Sequence, residues 1–434
     1  MRTSVHLAIP PASRIKDILL RWAQQYEEIC WLDSNAYPHR YSTYEAVLAV
    51  DAFTVLQTDW PSAFDQLEEY QRFSKDWLFG YLSYDLKNDT EQLNSQNEDQ
   101  LDFPDLFFFQ PRKLLWLKED KLTLSYLYSA DDELEEDATF FKNQLTKQSN
   151  EDLAVTRPRE KPLIRSKISR KQFIQKIKKL QSHIQNGDVY EANLCQEFYI
   201  EQYRADVVQL YQELNQISRP PFATFFRTDQ RYILSASPER YLKKEGQTLI
   251  SQPIKGTARR EPDSQRDRQS SQQLREDPKE QSENVMIVDL VRNDLSRTAL
   301  PGSVEVEELF EIYTFDQVHQ MISTVRSEIR PDVSPVNCLR TTFPMGSMTG
   351  APKIRAMQLI EELEESKRGV YSGAVGYFTP DGNFDFNVVI RSLLYNQEKQ
   401  YISFSVGSAI TAQSVPEKEY EECLLKAKAM REVL

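Results

Sequence analysis

Residues 189–203 and 222–257 read as one strand after another. "VYEANLCQEFYIEQY", "FATFFR", "RYILSASPERYLKKEG" and "QTLISQPIKGT" alternate like strands, and the last three follow one another on short turns. Side chains on a strand alternate between two faces, so this period marks half-buried β structure. Turns this short join antiparallel neighbours, because a parallel pair needs a long crossover. Helical spacing appears on either side of the run. In "SRKQFIQKIKKLQSHIQNGD", Phe173, Ile177, Leu180 and Ile184 share one face, and Asn186-Gly187 suits the helix end. Further helical patterns fall at 279–296, 305–320, 352–366 and 416–434, and strands return at 370–378, 386–395 and 400–412. Strands on short turns, interrupted by helices, predict an α+β fold with largely antiparallel sheets and not regular βαβ units.

A chain of 434 residues exceeds one ordinary core and predicts two or three domains. "YEAVLAVDAFTVLQTD" and "LLWLKEDKLTLSYLYSA" give the first region its strands. Residues 85–102 read as a solvated acidic loop. Residues 131–162 read as an amphipathic helix and a linker. The expected division is an N-terminal region, 1–150, and a second domain, 165–434. The net charge of −13 argues against nucleic acid or an anionic membrane as the main partner. Cys30, Cys195, Cys338 and Cys423 are scattered with no CxxC, which fits a reducing, cytoplasmic setting. Neither a signal peptide nor an 18-residue apolar span is expected.

Only 12 glycines occur, and seven of them lie within residues 346–407. Tight turns or close approach to a ligand would both produce that concentration. "GSMTGAPK" fails the P-loop spacing; it reads as a small-residue turn leading into a helix at Pro352, whose first N–H groups could meet a carboxylate. Glu280 and Glu283 lie three apart on a helix, as do Glu419 and Glu422, and each pair shares a face. Such faces are solvated or, if two meet, offer oxygen ligands to Mg2+. Similar pairs occur at 305/308, 361/364 and 362/365, so spacing alone does not decide. The 280/283 pair differs in being followed at once by the apolar run "VMIVDL". His319 sits among apolar residues, as a core histidine or a catalytic one. Arg391 interrupts the apolar "NVVIRSLLY" and calls for an internal carboxylate or an anionic ligand. Lys255, at the turn in "SQPIKGTARR", is by itself either a solvated cation or a chemical group.

Eight stretches taken in order resemble the chorismate-utilising enzymes, which include anthranilate, aminodeoxychorismate, isochorismate and salicylate synthases. They are "ASPERYL", "PIKGTARR", "ENVMIVDLVRNDLSR", "QVHQMIST", "FPMGSMTGAPKIRAM", "RGVYSGAVGYF", "VVIRSL" and "SVPEKEYEE". The likeness runs from about residue 165 to the end. "WLDSNAYPHRYSTYEAVLA" and "FGYLSYDL" more weakly resemble the family's N-terminal region. The resemblance implies an anthranilate-synthase-like fold, with two largely antiparallel sheets packed together and flanked by helices. Anthranilate synthases look like PIAGT where this chain reads PIKGT, as in aminodeoxychorismate synthases. The strand "YEANLCQEF" also lacks the lysine of the water-using members.

The resemblance implies amination of chorismate at ring carbon 4, for 4-aminobenzoate and folate; the alternative is anthranilate formation for tryptophan. Mg2+ would be held by Glu283 and Glu422, with Glu280 and Glu419 completing or orienting its shell. Glu239 of "SPER" would be the general acid, with its pKa raised. Lys255 would attack ring carbon 2 in its neutral form, with its pKa lowered. Tyr371, Arg391 and the backbone near Gly407 would hold the enolpyruvyl carboxylate, Thr349 and Gly350 the ring carboxylate, and His319 would lie near the ring. Ammonia would come from a separate glutamine amidotransferase subunit, since no glutaminase elbow is visible. Three positions depart from the family pattern. Its GAG reads Gly407-Ser408-Ala409, its FPGGS carries Met345, and a common aspartate is Gln413. "LDSN" resembles a segment that holds an aromatic amino acid in feedback-regulated relatives, or is plain packing.

Overall fold

The computed structural model describes residues 1–10, 14–37, 40–146 and 162–434. Of the helix and linker expected across 131–162, Leu134–Thr146 is helical and 147–161 lie outside the described residues. Among the described residues twenty strands join into one hydrogen-bonded network whose ladders are all antiparallel. The network spreads as two wings from the strand Leu106–Lys118. One wing runs through Ala46–Thr58, Ile29–Asp33, Phe222–Thr228, Arg231–Ser237, Ser392–Asn396 and Tyr401–Ile410 to Glu191–Ile200. The other runs through Leu78–Leu82, Ala374–Phe378, Phe384–Val388, Arg240–Glu245 and Thr248–Gln252 to Val318–Glu328. Both regions expected from the sequence contribute strands to each wing.

Alternation along the first wing sends neighbours into two cores. Trp31, Phe225, Leu234 and Leu393 face one core, under the helices Ile15–Ala23, Arg170–Gln185, Val207–Ser218 and Pro416–Lys426. Cys30, Phe226, Ile233 and Leu394 face the other, where they meet Phe108 of the shared strand and Phe79, Phe378 and Phe386 of the second wing. The second core is therefore the layer between two packed sheets, as the α+β reading expects. Burying each such side chain stabilises the fold by roughly 1.5–3 kcal/mol. Among the described residues no helix is long and apolar enough to cross a membrane.

Three local expectations need correction. Residues 305–320 are not helical; Glu305–Thr314 and Val318–Glu328 form a hairpin. Val306, Ile312, Tyr313 and Thr314 favour strands. Register shifts between Val306 and Glu311, with Phe310 at φ 59°, hide their period of two. The strand expected over 386–395 breaks into Phe384–Val388 and Ser392–Asn396, with Arg391 left-handed between them at φ 55°. The loop 85–102 begins buried and not solvated. Asp85 and Lys87 pair at 3.2 Å, and Lys87 also reaches Glu361 at 3.4 Å. A buried charge is tolerated only with partners of this kind.

The wing joint depends on two opposed glycines. Gly376 faces Gly80 across the Ala374–Phe378 and Leu78–Leu82 pairing. The Phe108 and Phe386 rings lie over these two backbones with their centroids 6.0 Å apart. A Cβ on Gly376 would lie 2.8 Å from the Phe386 ring and 2.1 Å from the Asp385 carbonyl. Gly376→Ala should therefore overpack the joint and destabilise the protein by about 1–3 kcal/mol, read as a lower urea midpoint with an unchanged slope.

Candidate active site

Lys255 lies where the strand Ile254–Arg259 slips its register against Val318–Glu328. Gly256, at φ 86°, makes that irregularity possible, and an irregularity of this kind re-aims a side chain. The lysine turns inward: its side chain is 11% exposed, and Nζ donates to Glu191 Oε1 at 2.7 Å. Burial alone would lower its pKa, but Glu191, Glu283 and Glu239 outweigh burial and hold the amine above the usual lysine value. This reverses the expected direction. The approach of an anion to an ammonium outweighs desolvation here. Glu239 behaves as the sequence reading requires. Its carboxyl is buried in the turn between the strands Arg231–Ser237 and Arg240–Glu245, and Ser347 Oγ donates to it at 2.6 Å. Burial pushes it up to about 7, against the pull of Ser347, Lys255 and Lys426.

The four paired glutamates face one region from two helices. Glu280 and Glu283 are on Pro278–Ser296; Glu419 and Glu422 are on Pro416–Lys426. Lys279 stands among them, and all four carboxylates raise its pKa against burial. Glu280 and Glu283 are pushed up by burial and by acidic neighbours, Glu422 and Asp277 for the first, Glu191 and Glu280 for the second. Against the cost of burial, Lys426, Lys279 and Lys255 hold Glu422 down. Glu422 pairs with Lys426 at 2.7 Å, and Glu419 accepts from Ser408 Oγ. Glu280 packs over Gly256, beside Lys255. Among the described residues no three acidic, histidine or cysteine side chains close to metal-ligating distance.

The "GSMTG" turn reaches this region through an unusual approach. Gly350 pairs with Ala192 of the strand Glu191–Ile200, and a Cβ there would lie 2.1 Å from the Glu191 carbonyl. Only glycine allows that contact, at φ 150°. Thr349 is buried; its carbonyl accepts from Asn193 N at 2.8 Å, and its hydroxyl bonds to the Met345 and Gly346 carbonyls. Pro352 caps the following helix, Lys353–Leu363, from outside it. Gly407 faces Cys195, and its carbonyl accepts from Lys426 Nζ at 3.0 Å. The buried Tyr371 hydroxyl lies 3.6 Å from Cys195 Sγ. Arg391 donates to the Lys426 carbonyl at 3.3 Å, and among the described residues no carboxylate forms an ion pair with it. His319 is buried beside Ala258, with Nδ1 on Thr314 and Nε2 on Asp267.

Sequence reading did not single out Glu191, Ser347 or Lys279. A glutamate inside the otherwise inward-packed "YEANLCQEF" was the available signal, since a buried acid needs a partner. A separate cavity, lined by Asp33, Ser34, Tyr44, Phe222, Arg240 and Asp385 among others, opens beside "LDSN".

The chain is similar to known proteins over most of its length. The description "chorismate binding enzyme" matches residues 27–432. An anthranilate synthase component I-like protein of Synechocystis sp. is 35% identical over 366 residues, covering 84% of this chain and 73% of that protein. Aminodeoxychorismate synthase component 1 of Escherichia coli is 37% identical over 343 residues, covering 79% and 73%. The crystal structure of anthranilate synthase component I from Streptococcus pneumoniae matches at 26% identity and a TM-score of 0.77, covering 91% of this chain and 93% of its own. With its two-winged antiparallel fold, this chain belongs to the chorismate-binding enzyme family.

Proposed function

We propose that this chain replaces the hydroxyl on ring carbon 4 of chorismate with an amine, forming 4-amino-4-deoxychorismate through a transient bond to Lys255. The carrying observation is a buried amine, Lys255, in the same site as a buried acid, Glu239, that keeps its proton up to about 7. Hydroxide leaves poorly, so carbon 4 needs a proton donor, and Glu239 is protonated at neutral pH for that task. As the C4–O bond breaks and water departs, the Lys255 nitrogen bonds to carbon 2 and the ring double bonds shift. Ammonia then bonds to carbon 4, the double bonds shift back, and the lysine leaves carbon 2.

Arg391 and Tyr371, with the backbone near Gly407, would seat the enolpyruvyl carboxylate. Among the described residues no carboxylate forms an ion pair with Arg391, which supports that role. Thr349 and Gly350 would lie at the ring carboxylate. His319 would lie near the ring, fixed by Asp267 and Thr314. The glutamates fit a hard divalent cation: the donors are all oxygen, and Glu283 Oε1 is buried with no hydrogen-bond partner, its one ion-pair contact being Lys279 Nζ at 3.5 Å. Glu283 and Glu422 would hold Mg2+, with Glu280 and Glu419 completing or orienting its shell, and the ion would polarise the ring carboxylate. Ammonia would come from a glutamine amidotransferase subunit, in keeping with the name "component 1" of the Escherichia coli relative. The setting would be cytoplasmic, on the route to 4-aminobenzoate and folate.

The anthranilate synthase relatives favour a second reading, in which ammonia attacks carbon 2 directly and Lys255 is a bystander. Incubation with chorismate, Mg2+ and ammonium separates the two. The expected product keeps its enolpyruvyl group, and Lys255→Ala stops its formation. Anthranilate as the main product would overturn the amination at carbon 4.

Glu239 also fixes a pH dependence. The acid works only while protonated, and its folded pKa is raised, so kcat/KM should fall by about tenfold per pH unit above about 7. Glu239→Gln should slow the reaction by roughly 10²–10⁴-fold and remove that upper break. A pH–rate profile of both proteins checks it.

A further inference from the structure

We infer that Glu191 is the proton acceptor for Lys255, taking a proton from Nζ through their hydrogen bond and so making the amine a nucleophile. The inference rests on the lysine-mediated amination proposed above. Glu191 opens the strand Glu191–Ile200, and its backbone is pinned by pairing with Ala351. The Tyr190 N–H reinforces the contact by donating to the Ala351 carbonyl at 2.7 Å. The carboxylate is 2% exposed. Oε1 accepts from Lys255, whereas Oε2 is buried with no hydrogen-bond partner. A buried carboxylate oxygen left unpaired is costly, and a proton arriving on that group relieves the cost.

The other charged groups facing this pair make an internal acceptor necessary. Glu239 comes from the turn before the strand Arg240–Glu245, and Glu283 and Glu280 come from the helix Pro278–Ser296. Lys279 stands on that helix, and Lys426 and Glu422 on Pro416–Lys426. An ordinary lysine ammonium holds its proton far above neutral pH, while Glu239 loses its own at about 7. A pH high enough to strip Lys255 through solvent would therefore first ionise the acid that must protonate the leaving hydroxyl. Transfer within the pair avoids that conflict. Filling the site with substrate removes the remaining water around Nζ, and a neutral amine–acid pair is then favoured over an ion pair.

The protons balance around the cycle. An N–H bond of Lys255 breaks and an O–H bond forms on Glu191. The freed pair bonds carbon 2 while Glu239 gives its proton to the departing hydroxyl. The alkylated nitrogen returns a proton to Glu239. When ammonia bonds carbon 4, the lysine nitrogen leaves carbon 2 with its electron pair and takes the proton held on Glu191. The new C4 ammonium then gives one proton to Lys255, restoring the ion pair.

Two measurements on the whole chain test this. Trace acetylation of Lys255 at a series of pH values, read by peptide mass spectrometry without chorismate, gives the titration of the amine apart from turnover. Glu191→Gln should lower its midpoint by about one pH unit or more; an unchanged midpoint overturns the coupling. Amination by Glu191→Gln should be slower by about 10²-fold at neutral pH, in kcat and not KM, and should climb with pH only up to the Glu239 break near 7. A mere ion-pairing role predicts the opposite, because freeing Lys255 of its partner leaves more neutral amine. A variant as fast as the parent, or faster, at neutral pH overturns the inference. Glu191→Asp should recover part of the rate. Full activity of Lys255→Ala would instead remove the lysine step and overturn both readings together.

Discussion

Lysine and carboxylate sealed in one contact, Lys255 Nζ on Glu191 Oε1 at 2.7 Å, set the terms for the structure around them. Neither charge would survive at that depth alone, and each is tolerable because the other is fixed beside it. Their backbones belong to different wings, Glu191 to the last strand of one and Lys255 to a strand at the end of the other. The pair therefore exists only when both wings are formed and packed. An ion pair between residues 64 apart in sequence reports on the whole fold and not on a local turn.

A second buried charge holds the wall of the site. Arg368 donates to the Met348 carbonyl at 2.7 Å, to the Asn193 carbonyl at 2.7 Å, and to both oxygens of Glu364. Those bonds tie together the "GSMTG" turn, the strand bearing Glu191 and the end of the helix Lys353–Leu363. The face of the Tyr84 ring lies 4.5 Å from the guanidinium, and Asp85 accepts from Gly369 N at 2.9 Å. The N-terminal region thus acts on the site from behind, by fixing the turn that precedes Tyr371. Tyr84 and Asp85 of "FGYLSYDL" support the site although they hold no proposed chemical role.

Legibility in the sequence followed the range of the cause. The helix Arg170–Gln185 was readable because its period and its Asn186-Gly187 end lie within one short window. The hairpin 305–328 was not, because two register shifts erase its alternation and its partner strand supplies the burial. Glu283 and Glu422 could be named from spacing plus family likeness. Glu191 could be marked only as an acid inside an inward-packed strand; its partner is set by the bulge at Lys255–Gly256. The direction of the Lys255 shift was missed for the same reason. Burial is guessable from pattern, whereas three carboxylates converging on one amine are a property of tertiary structure.

The departures from the family pattern fall where side chains matter least or are replaced in kind. Met345 uses its carbonyl to accept from Thr349 Oγ1, while its side chain joins the core between the wings. Gln413 is exposed. Ser408 adds a hydroxyl that donates to Glu419, which orients an acid that would otherwise sit buried without a donor. Ala409 faces Asn193 on the strand pairing, where a Cβ is accepted, whereas a Cβ on Gly407 would lie 2.4 Å from Cys195 Sγ. Of the glycines expected there, the one that is kept is the one the packing cannot replace. Backbone contacts that need an absent side chain persist, while contacts that need only a carbonyl or a free amide leave the residue open to change.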